Sequence, residues 1–193
     1  PPPQTAADRL WTPLPAGHDL LQFFAAYQLK NLYDTVVWDD GALFFAHHVL
    51  SGLVAWGGMH AGGSGGGGLG QVYAVFFMGI SEVSTALLVL LANFDDELGV
   101  PGLADAFPTA RIVLGAAFTA AFVFIRIAVW PWVAYLFLRD VRAALRDESD
   151  ELAKARRPWL LVIGGILGAL TILQFVWLAE IASRGWGEAV ALM

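Results

Sequence analysis

At 193 residues, 58% of them hydrophobic, the chain is more apolar than a soluble domain, which usually holds about 45–50%. Its net charge of −6 argues against a nucleic-acid partner, and the absence of cysteine excludes a disulfide framework, a thiolate nucleophile and a thiolate-bound metal. The mean hydropathy of +0.62 is concentrated in runs long enough to cross hydrocarbon, which takes about 20 residues at a rise of about 1.5 Å each. The expected class is all-α: an integral, multi-pass bundle of about five membrane-spanning helices, preceded by an arm and followed by a short tail.

Residues 1–17 are Pro-rich and show no helical period, so an extended or meandering arm is expected. The transmembrane domain follows over residues 18–182, and residues 183–193 form the tail. The first helix is predicted over His18–Trp38, where Leu20, Leu21, Phe23, Phe24 and Tyr27 alternate with Gln22, Lys30, Asn31 and Asp34. Asp39-Asp40-Gly41 reads as a turn, with Asp as a cap for the next helix, Ala42–Met59. The GGSGGGGLG segment at 62–70 reads as a flexible loop; without a GK[ST] ending or a preceding strand it is not a phosphate loop.

A third helix is predicted over Gln71–Asn93, followed by an acidic, turn-rich loop, FDDELGVPGLADAFP. The fourth, Thr109–Leu138, is long enough to project from the bilayer, and Pro131 should kink it. Residues 139–158 hold six basic and five acidic residues and read as a short charged helix or a solvated loop. The fifth helix, Trp159–Ala182, carries Gly164, Gly165 and Gly168, either a small-residue packing face or ordinary helix crowding. Lys and Arg concentrate in 139–157, which places that loop on the cytosolic, stromal or matrix side and the acidic 94–106 loop opposite. Trp38, Trp56, Trp130, Trp132, Trp159 and Trp177 read as interfacial anchors.

Several polar groups lie inside these apolar runs, where an unpaired charge costs a few kcal/mol or more. They are Asp40, His47 and His48, then Glu82 with Ser81 and Thr85, then Arg126. Asp40 and His47, seven residues apart, share a helix face if the helix starts by Asp40, while His48 is rotated by about 100°. Two readings stay open. In one, the histidines bond within the bundle and Glu82 pairs with Arg126; in the other, a carboxylate and histidines share a polar cavity with shifted pKa values. Adjacent histidines lack the i, i+4 spacing that puts two imidazoles on one ion, so no metal is expected.

Three blocks carry a resemblance. They are D-x6-H-H from Asp40 to His47-His48, M-G-x-S-E-x-S-T from Met78 to Thr85, and F-x-R-x-x-x-x-P with Phe124, Arg126 and Pro131. In this order they resemble the TLC domain, the membrane fold shared by ceramide synthases and by translocon-associated and TLC-domain-containing proteins. LTILQFVWLAEI resembles the family's last helix, and the resemblance covers about residues 20–182. In ceramide synthases a second block, H-D-x-x-D, belongs to the site that N-acylates a sphingoid base with acyl-CoA. Here Ser81 stands for its histidine, Glu82 for its first Asp and Thr85 for its last, while Asp40, His47 and His48 keep the pattern. The resemblance therefore implies the TLC-domain-containing branch, linked to membrane lipid composition. That fold usually carries more helices, and residue 1 is Pro, so a further helix and any targeting peptide are expected upstream.

The leading functional expectation is a non-enzymatic lipid-handling or membrane-organising protein whose polar core, Asp40, His47, His48, Ser81, Glu82, Thr85 and Arg126, holds the bundle or a lipid headgroup. The alternative is a structural or linker subunit of a larger photosynthetic or respiratory complex. There His47, His48 or Glu82 would ligate a chlorophyll-type pigment. A third is an acyltransferase with His47 or His48 as general base and Asp40 beside them. Expected partners are membrane lipids and neighbouring subunits, in an endomembrane, plastid or mitochondrial membrane.

Overall fold

The computed structural model describes residues 5–61, 68–97, 99–147 and 149–191, with side chains as far as residue 183. These residues form helices and turns, and no strand occurs among them. In chain order the helices are α1 (Ala6–Trp11), α2 (Pro15–Trp38), α3 (Ala42–His60), α4 (Gln71–Ala92), α5 (Leu103–Ala106), α6 (Pro108–Arg146), α7 (Glu151–Ala155) and α8 (Arg157–Ala191). Four of them, α3, α4, α6 and α8, are long and apolar enough to cross a membrane. α2 has the length, 24 residues or about 36 Å, but carries Asp19, Lys30 and Asp34. About five spans is therefore roughly consistent with the structure.

The arm expected over 1–17 is not extended throughout. Thr5 and Asp8 form a reciprocal capping box, each side chain accepting from the other's backbone N–H at 3.0 Å, and this starts α1 without any hydrophobic period. Proline at the first helical position opens α2 and α6. Asp39, in the left-handed region at φ 54°, ends α2, and Gly41 at φ 95° precedes α3. Asp40 therefore lies outside α3, is exposed, and does not cap it. The predicted flexible loop falls on residues 62–67, outside the described residues; beyond it, the Leu69 N–H donates to Gly58 O at 2.9 Å.

Two long helices contain wide π turns, at Val75–Ile80 in α4 and at Val123–Val129 in α6. The second explains how α6 tolerates Pro131. Proline has no N–H and its ring crowds the carbonyl four residues back, and the preceding π turn, with the Trp130 N–H on Ile125 O, relieves that crowding. The helix then runs on to Arg146, so half of the charged stretch is helical, and a second piece, α7, is capped by Asp150 accepting from the Ala153 N–H at 2.8 Å. At the other end α8 continues past the predicted boundary of the tail, to Ala191.

The chain divides into two compact units. The first holds Pro1–Gly79 and Trp132–Leu173, the second Ile80–Pro131 and Gln174–Met193. In the first, α2 lies along α3 and buries Gly17, Leu21, Phe24, Gln28 and Thr35, a helical stripe. A Cβ on Gly17 would stand 2.7 Å from the Gln71 carbonyl oxygen, so only glycine allows this approach. Gly57 lets Ile163 and Trp159 pack closely, and Tyr73 meets Phe137 edge to face at 5.3 Å. Gly164 approaches Leu138, whereas a Cβ at Gly165 or Gly168 would meet open space among the described residues. In the second unit the Glu82–Ala92 part of α4 packs on the first half of α6, burying Phe118, Phe122 and Ile125. Many exposed positions on the spans are large apolar residues (Leu53, Val89, Ile112, Phe124, Ile172), as a lipid-facing surface requires.

Candidate functional site

The second unit contains a polar node. Arg126 sits in the π turn of α6 and is 5% exposed. Its Nη2 donates to Glu82 Oε1 at 3.1 Å and to Thr85 Oγ1 at 2.9 Å, and its Nε donates to Ser84 Oγ at 3.1 Å. Ser84 in turn donates to the Ser81 carbonyl at 3.0 Å. Glu82 and Thr85, at i and i+3, share a helix face and meet Nη2, while Ser84 meets Nε of the same guanidinium. The Trp130 ring, one turn beyond Arg126, covers it at 5.4 Å. This Trp is buried, not the interfacial anchor that its place in WPW suggests. Glu82 keeps a side-chain exposure of 25%, so the node is not sealed from its surroundings.

Asp40, His47 and His48 belong to the first unit. The two imidazoles are half-buried and meet edge to face at 5.2 Å. His48 Nδ1 lies 2.7 Å from Gln28 Oε1. An amide oxygen only accepts, so Nδ1 carries the proton and Nε2 is the basic nitrogen. Gln28 is itself buried on α2, which fixes the His48 ring from behind. Because α3 starts at Ala42, Asp40 and His47 do not share a helix face as the seven-residue spacing suggests. Among the described residues no three histidine or carboxylate groups converge as a metal ion would need.

A second buried charge node escaped the sequence reading. Asp140 in α6, 2% exposed, accepts from Arg9 Nε at 2.5 Å and Nη2 at 2.8 Å, and from the Tyr73 hydroxyl at 2.5 Å. The fork of two parallel bonds is the strong geometry for an Arg–carboxylate pair, and the carboxylate raises the Arg9 pKa further above its usual value. Around it the first residues are tied down: Leu10 is fully buried, Leu10 O accepts from the Gly70 N–H, the Leu14 N–H donates to Gln71 Oε1 at 2.6 Å, and Trp11 Nε1 reaches Asp150 at 3.3 Å. One signal was available. Ala134, Phe137, Val141 and Ala144 form the buried stripe of α6, and Asp140 falls in it.

A model of the TLC domain matches residues 7–183 of the chain. No curated protein and no solved structure matches.

Proposed function

The chain belongs to the TLC-domain family, whose members are membrane proteins, and on that premise we propose a non-catalytic role in handling or organising membrane lipid. One observation carries this reading. The residues at the second block of the family resemblance, Glu82, Ser84 and Thr85, are the hydrogen-bonding partners of Arg126. The Glu82 carboxylate is engaged by the buried Arg126 guanidinium, with Ser84 and Thr85 on the same group, so the block is occupied by contacts within the chain. Ser81, where an acid–base group would be needed, has no titratable side chain and its carbonyl accepts from Ser84. The node then works as a polar anchor in the apolar unit, and Glu82, 25% exposed, is open to a polar group of a bound lipid.

The test has two arms. Lipid extracted from the purified protein is compared between the natural chain and Glu82→Gln. Retained lipid that falls in the variant supports the reading, and a lipid-free natural preparation counts against it. The protein is also incubated with a long-chain acyl-CoA and a sphingoid base. An N-acylated product that disappears in His47→Ala/His48→Ala overturns the non-catalytic assignment.

A further inference from the structure

The turn between α6 and α8 holds an open cleft of about 380 Å³. Ala144 and Ala153 form its floor, and Arg146, Lys154 and Arg157 line it together with Asp147. The volume falls in the range of small-ligand sites, about 300–1,000 Å³. The balance of charge around it is uneven. Of the acidic residues described in this stretch, Asp140 is held by Arg9 and Tyr73, Asp150 caps α7, and Glu151 pairs with Lys154 at 2.8 Å. Asp147 accepts from both the hydroxyl and the N–H of Ser149, which holds its carboxyl below the usual range. Among the described residues Arg146 and Arg157 have no carboxylate partner, and Arg156 Nε, beside Arg157, is buried with no hydrogen bond.

Position adds the second argument. The helix that carries one apolar span ends at Arg146 and the helix that carries another starts at Arg157, so the cleft lies between the ends of two helices long and apolar enough to cross a membrane, where a lipid headgroup would meet it. Arginine there recognises a phosphate through charge-assisted, paired hydrogen bonds. We propose that this cleft binds a phosphate oxyanion, supplied by the headgroup of an anionic phospholipid, through Arg146 and Arg157. Lys154 is shared with Glu151 and contributes charge rather than a dedicated bond. The site shares no residue with the Arg126 node, so the two readings fail separately.

The full chain in neutral detergent is titrated with phosphatidylglycerol or with phosphatidylcholine, and bound lipid is counted by native mass spectrometry. Phosphatidylglycerol should be retained in preference, and Arg146→Gln/Arg157→Gln should lower its occupancy affinity about tenfold. Lys30→Gln/Arg111→Gln, the same loss of two charges elsewhere, should not. Equal retention of the two lipids, or a preference unchanged in the double variant, overturns the proposal. The natural protein gives a check that needs no variant: added salt should release phosphatidylglycerol and leave phosphatidylcholine in place, and a salt-insensitive preference overturns it as well. Inorganic phosphate separates the sources. Phosphate binding with the same arginine dependence but without a phosphatidylglycerol preference overturns the lipid as its source.

Discussion

The two buried arginine–carboxylate nodes differ in how much depends on each bond. Removing one member of a buried pair leaves the other charge without compensation, at a cost of about 3–5 kcal/mol. Arg126→Ala should therefore lower stability by about 3 kcal/mol, the low end because Glu82 keeps some solvent. Thr85→Val, which removes one acceptor of several, should cost about 1 kcal/mol. Denaturation in one detergent measures both, and equal effects would contradict a node centred on Arg126. In the first unit Tyr73→Phe removes a hydroxyl bonded to a charged acceptor and should cost about 2 kcal/mol by the same measurement. A neutral result would mean that Arg9 alone satisfies Asp140. The Glu82–Arg126 pair was legible in the sequence because a charge inside FMGISEVSTALLVLL or FVFIRIAVWPW has no solvent to turn to. Asp140 was not, because RDVRAALRD surrounds it with other charges and only its register with Phe137, Val141 and Ala144 marks it as buried.

At the level of elements, hydrophobic period placed the long helices to within a few residues except at the charged ends, where α6 and α8 run on past the predicted stops. Periodicity counts apolar residues and so ends a helix too early when its last turns are solvated. The π turns left no signal beyond Pro131, since proline announces a crowded carbonyl without saying which way the backbone will yield. α1 was missed for a different reason. Six residues are too few to show a period, and the Thr5-x-x-Asp8 cap is the whole of its signature. Helix packing gives a paired prediction. Gly17→Ala would drive a methyl group to 2.7 Å from a backbone oxygen that cannot rotate away, and should cost about 1–3 kcal/mol. Gly168→Ala meets open space and should stabilise α8 by about 0.5–1 kcal/mol through helix propensity. A thermal scan of the two variants checks the contrast; loss of stability in both would mean that position 168 is packed.

For the whole molecule, α6 is long and apolar enough to cross a membrane, and the charge bias predicts the acidic 94–106 loop and the basic turn at 147–156 on opposite faces. The chain has no cysteine, which makes the prediction simple to check. In sealed vesicles, Asp96→Cys and Ser149→Cys should react with an impermeant maleimide from opposite sides, and labelling from the same side would remove α6 as a single span. The clamp on the first residues also bears on how the chain is made. Arg9 leaves the ribosome 131 residues before Asp140, the carboxylate it will hold. Until α6 has been delivered to the bilayer, that guanidinium must wait in water, and Leu10 has no complete core to enter. Docking of the N-terminal segment is thus a late event in biogenesis, a long-range closure over helices already inserted. A nascent chain halted before residue 140 should expose that segment to protease, and one released beyond it should not.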